Sequence, residues 1–195
     1  MKKDKPLLIV VGAFVFALIA AVIEVKKFTG IPAHPLLLHA PVILVPALAL
    51  ATVVLQIKPE WRREYGIALG LGAMLTSAAT SLTANSGEAW QEMLDQRDQL
   101  QIHDHAELGD KLKALVILFA VLILIQLLLE RGALGSLSER FSDPRAALPM
   151  ALSTLLVIVA LGAAVLTFLT GHEGAKVVFG HEDGAPSALR EPGGG

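Results

Sequence analysis

Six histidines punctuate this chain, at positions 34, 39, 103, 105, 172 and 181, and there is no cysteine. Imidazole binds metals and haem and carries protons near neutral pH. Without thiols, the chain can form no disulfide, iron–sulfur cluster, thiolate-bound zinc or CxxCH haem attachment. Five apolar stretches alternate with polar connections, and every histidine lies in, or within a turn of, a connection of the same parity. All six are therefore expected on one face of a membrane.

The individual positions differ in what they offer. His39 sits one turn into an apolar helix, just before Pro41. A polar side chain at membrane depth is costly and is a functional candidate by default. His34 and His39 are about 140° apart around a helix, so one helix cannot present both to one ion. His34, beside Pro35, reads as a helix-start residue. His103 and His105 point to opposite sides of a helix, and His105 is favoured because it opens the helix that continues into the membrane. His172 follows Thr170-Gly171 past the expected end of the last span, at a depth similar to His39. His181 is expected at the surface.

His39, His105 and His172 are thus expected to converge from three helices, with Glu88 able to join them. Two facing imidazoles suit b-type haem. Three imidazoles and a carboxylate suit a divalent ion such as Zn, Fe, Mn or Cu. A third reading has no cofactor: the bundle is an accessory or scaffold subunit, and the histidines cap helices and hydrogen-bond. The sequence has no HExxH, GxSxG or Walker pattern, and a metal site here would be structural, or catalytic if a coordination position stays open, so enzyme activity stays undecided at this point.

The elements that must position these residues are membrane helices. The chain is 54 % hydrophobic and only 17 % charged, with a mean hydropathy of +0.62. Runs of about 18 or more apolar residues can cross a bilayer. A net charge of -2 argues against nucleic acid as a partner. The expected class is an all-α integral membrane bundle of five transmembrane helices, a four-helix core plus an N-terminal anchor. Residues 1–28 form the anchor, with its span at Pro6 to Ile23. Lys2, Lys3 and Lys5 precede it as in a signal peptide, but the apolar run is long and no A-x-A site follows, so it is expected to be retained.

Residues 29–185 form the four-helix domain. Its spans are Pro35 to Ile57, where Pro41 and Pro46 predict a kink, then Tyr65 to Ala84, Leu112 to Glu130 and Ala147 to Leu169. Gly66, Gly70, Ala73, Ser77 and Ser81 make a small-residue stripe that lets a neighbouring helix approach. An acidic segment covers residues 86–110, with Trp90, Met93 and Leu94 as the edge of a short interfacial helix. Asp104 and Glu107 read as N-cap and N3 of helix four. Residues 186–195 are expected to be a disordered tail, and no internal repeat is evident. The short basic connections 58–64 and 131–146 favour the inside, which puts the N-terminus inside and the C-terminus and histidines outside.

Four segments resemble a bacterial membrane family, domain of unknown function 2231. They are Ile31-Pro-Ala-His-Pro-Leu-Leu-Leu-His-Ala-Pro-Val, Ser86-Gly-Glu88, His105-Ala-Glu-Leu-Gly109, and Thr170-Gly-His-Glu-Gly-Ala-Lys176-Val-Val-Phe. The first is similar to the family's HPllVHFPi signature, with Ala40 where Phe is usual. The last three resemble an actinobacterial-type branch. The resemblance implies a four-helix membrane module of the bacterial cytoplasmic membrane, in some members joined to Rieske-type or c-type cytochrome modules. It hints at respiratory electron transfer with a redox partner protein or as a homo-oligomer. The positions matching its motifs are His34, His39, Glu88, His105 and His172; His34 enters on this ground alone.

Overall fold

A computed structural model describes residues 5–143 and 146–179. The first helix is α1, Lys5–Ala20. A minimal antiparallel hairpin follows, β1 (Lys27–Phe28) on β2 (Ile31–Pro32). Its turn residues Thr29 and Gly30 both have positive φ, 50° and 88°, as two-residue hairpins demand. Then come α2 (His34–Leu37), α3 (His39–Ile57), α4 (Pro59–Gln91), α5 (Gln96–Glu130), the single-turn α6 (Ser136–Glu139) and α7 (Ala147–Phe179).

Four stretches are long and apolar enough to cross a membrane: His34–Ile57, Pro59–Gln91, Ile102–Glu130 and Ala147–Val177. The fifth expected span is shorter. The 16 residues of α1 rise about 24 Å as a helix, less than the ~30 Å of a hydrocarbon core. The four long helices form a ring in which α3 touches α4 and α7, and α5 touches the same two; α1 lies against α4.

The proline kink falls at Leu38, between α2 and α3. Pro41 has no N–H to give the carbonyl one turn earlier, that of Leu37. The Thr83 hydroxyl of α4 reaches that oxygen instead, at 3.1 Å. The acidic segment differs from expectation. It is mostly helix: α4 runs through Glu88 to Gln91, and α5 starts at Gln96 with Asp95 as its cap, accepting from the Asp98 amide at 2.9 Å. Asp104 and Glu107 lie inside α5 rather than at its start. Polar residues on a helix that projects beyond the apolar layer stay solvated, so nothing there ends the helix before Asp95. The tail 186–195 and His181 lie outside the described residues.

The structure also contains a repeat, where none was evident in the sequence. The hairpins α3–α4 and α5–α7 bury their first helices through the same positions in constant register. Val45 corresponds to Val116, Leu48 to Phe119, Ala49 to Ala120 and Thr52 to Ile123, all buried. Two of the four pairs are identical and two differ, because apolar contact selects position and approximate size before residue type.

α1 breaks this symmetry. It packs on α4 with Val10 against Gly70, and Asn85 donates to the Ala21 and Ile23 carbonyls at 3.1 and 2.9 Å. The α4 stripe between those contacts, Met74, Ala78 and Ser81, is buried. Its α7 counterparts Leu161, Val165 and Phe168 are exposed.

Candidate functional site

At one end of the bundle, α2, α3, α4, α5 and α7 enclose a cavity of about 430 Å³. Its walls are mostly apolar, with Leu38, Ile102, Leu112 and Val177 among them, and Trp90 at one side. His34 and His105 both line it. His34 comes from α2, which leads into α3, and His105 from the interior of α5, and α3 and α5 lie across the ring from each other. Their rings stand edge to face, with centroids 6.0 Å apart and planes at 76°. Trp90 sits beside His34 at a centroid distance of 6.1 Å.

Both imidazoles are anchored in the same way. Nδ1 of His34 lies 2.9 Å from the Thr83 carbonyl of α4, and Nδ1 of His105 lies 2.9 Å from the Thr170 carbonyl of α7. A carbonyl oxygen can only accept, so each Nδ1 carries the hydrogen. In the neutral ring, the lone pair is then on Nε2. This is the usual preparation of a metal-binding histidine, whose second nitrogen is tied to a carbonyl or carboxylate. Thr80, at the cavity, is 3 % exposed, and its hydroxyl makes no hydrogen bond among the described residues.

The cavity rim is charged. Glu88 lines it and is held by Lys113 at 3.2 Å; Asp110 lines it too. Lys111 is engaged elsewhere, with Glu107 at 2.6 Å.

The structure brings together some of the expected site residues and separates others. His105 and Glu88 are at the cavity. His39 and His172 are exposed and do not line it. His39 follows His34 by five residues, and with His34 turned inward it must point away. His172 is not past the end of its helix, because α7 continues to Phe179; it lies on the outward stripe, with its ring parallel to that of Phe168 at 6.3 Å. His103 is exposed. The expected convergence of His39, His105, His172 and Glu88 is therefore not the one the fold makes. Among the described residues, no group of three or more His, Cys, Asp or Glu side chains is arranged to hold a metal ion.

Sequence reasoning read His34 as structural, and it is the ring that meets His105. The missed signal was Thr83 with Gly87 and Thr170 with Gly174, each a threonine followed one helical turn later by glycine.

No curated protein and no solved structure matches the chain. A family model does, over residues 30–185: the family described as "Predicted membrane protein (DUF2231)". That range includes the whole ring of helices and the cavity, and the chain belongs to this family.

Proposed function

We propose that this member of the DUF2231 membrane family is a redox subunit that binds b-type haem, with His34 and His105 as the axial ligands. The carrying observation is the pair of imidazoles lining one cavity, each with Nδ1 tied to a helix carbonyl, which leaves the lone pair on Nε2. The two rings face one cavity from different helices, with centroids 6.0 Å apart. Haem iron takes two axial ligands, and a pair of cavity-lining imidazoles would meet that need. A non-haem ion would need further ligands, and among the described residues no three His, Cys, Asp or Glu side chains are grouped to hold one.

When bound, haem would supply one-electron transfer. The protein's part is to bind, orient and exclude water. Thr83 and Thr170 fix the tautomer and the ring direction, and Leu38, Ile102 and Leu112 keep the pocket apolar. The distribution of lysine and arginine supports an outward-facing cavity, placed to exchange electrons with a partner protein at that surface.

The test is an absorption spectrum of detergent-purified protein, oxidised and dithionite-reduced, with metal analysis of the same sample. A Soret band with sharp reduced α and β bands and about one haem per chain is expected. A featureless spectrum after haem supplementation would overturn the reading, and metal-free protein would then point to an accessory subunit.

A further inference from the structure

We infer that the two hairpins each build the same imidazole seat, and that Gly87 and Gly174 are paired positioning residues that let the two rings reach their carbonyl anchors. This inference rests on the same site as the haem reading, but it concerns the rings themselves and stands or falls separately.

The seats match in sequence register. Thr80-Ser-Leu-Thr-Ala-Asn-Ser-Gly87 on α4 corresponds to Thr167-Phe-Leu-Thr-Gly-His-Glu-Gly174 on α7. The second threonine of each provides the carbonyl that accepts from Nδ1. Its hydroxyl is turned back onto its own helix in both cases, to Ala79 O and to Leu166 O at 2.8 Å. The glycine follows one turn later, directly beside that carbonyl. A Cβ at Gly87 would lie 3.0 Å from both Nδ1 and Cε1 of His34. A Cβ at Gly174 would lie 3.0 Å from Cε1 and 3.1 Å from Nδ1 of His105. Neither ring could stay where it is without yielding. Gly171 on the same helix has open space, so the contact belongs to this position and not to α7 as a whole.

The flanking residues are not duplicated. The counterpart of Glu88 is Ala175. Thr167 bonds Ala163 O at 2.8 Å, whereas the Thr80 hydroxyl has no partner. The seats are thus held alike while their surroundings diverge, as expected if ring placement is what both hairpins must preserve.

The experiment uses the full chain in detergent with ¹⁵N-labelled histidine. In the haem-free protein, NMR of the ring nitrogens should give the Nδ1–H tautomer for His34 and His105. Gly87→Ala should shift only the His34 signals and Gly174→Ala only the His105 signals. Gly12→Ala, whose added methyl meets nothing within 4 Å, should shift neither. Thermal stability supplies a second readout. Glycine to alanine inside a helix normally stabilises. Gly174→Ala should lower the melting temperature in the native background and raise it in a His105→Ala background, a change of sign that only a ring contact produces. After loading with haemin, each glycine variant should bind haem roughly tenfold more weakly and shift the low-spin ferric EPR signal.

Unchanged ring signals in both variants, or a Gly174→Ala effect of the same sign in both backgrounds, would overturn the inference. Ring signals that shift as expected in a protein that takes up no haem would leave the seats standing and remove the haem.

Discussion

At the residue scale, the site depends on which histidines turn inward. His34 and His105 reach helix carbonyls across the bundle, while His39 and His172 project outward. Single substitutions should separate the two classes. His34→Ala and His105→Ala are each expected to abolish the haem spectrum of the purified protein, whereas His39→Ala and His172→Ala should keep most of the wild-type haem, since neither ring lines the cavity. A pyridine haemochrome assay reads this directly. Haem loss in His39→Ala with full retention in His34→Ala would contradict the assignment. Thr83 matters here through its main chain as well as its hydroxyl, so Thr83→Val should weaken the Leu37 contact and leave the His34 anchor in place.

At the element scale, α1 is held to α4 by close packing and by one polar clasp. Gly70 has Val10 and Leu127 within 3.1 and 3.2 Å of a notional Cβ, so even alanine there pushes on both helices. Asn85 is 4 % exposed and satisfies two carbonyls at the end of α1. Leucine at that position removes both bonds, and about 1–3 kcal/mol of docking free energy is expected to go with them. Trypsin should then cut faster at Lys26 and Lys27, which follow α1. An Asn85→Leu protein as resistant as wild type would mean that packing alone holds the helix. Orthodox helix-ending signals served less well at this scale. Asp104 looks like a cap and is mid-helix, because a capping residue must itself hold non-helical angles, as Asp95 does (ψ 166°).

At the scale of the whole molecule, the two ends of the bundle are chemically different. The cavity and its imidazoles occupy one end. The other holds a buried polar cluster: Arg62 with Glu130 at 2.9 Å, Gln56 at 2.6 Å and Ser153 at 3.2 Å, next to a reciprocal Gln56–Gln126 amide pair. The Arg62 Nε approaches Glu130 closely but outside hydrogen-bond alignment, so that contact acts through charge. Arg62→Leu strands Glu130 and should cost about 3 kcal/mol, while Arg62→Leu with Glu130→Leu should cost less than the single change. Thermal unfolding in detergent checks the order. The absence of cysteine makes orientation equally accessible. Met93→Cys at the cavity end should react with an impermeant maleimide on intact cells. Ser142→Cys, at the other end, should react only after permeabilisation. The reverse pattern would turn the cavity inward.

The sequence by itself determined the class of the molecule, the four long apolar helices, the break near Pro41 and the opposed directions of His34 and His39. These are local quantities: hydropathy over one helix length, a missing amide hydrogen, and the angle between residues five apart. It also carried the family signature, which kept His34 and Glu88 in view. The tertiary structure alone decided that His34 meets His105, because that pairing depends on which helices lie across the ring from one another. It alone placed Gly87 and Gly174 against the rings, and it alone exposed the duplicated hairpin. Packing conserves register more strictly than letters, so Leu48 and Phe119 hold corresponding buried places, and the few identical pairs are too scattered along the chain to stand out before the hairpins are placed side by side.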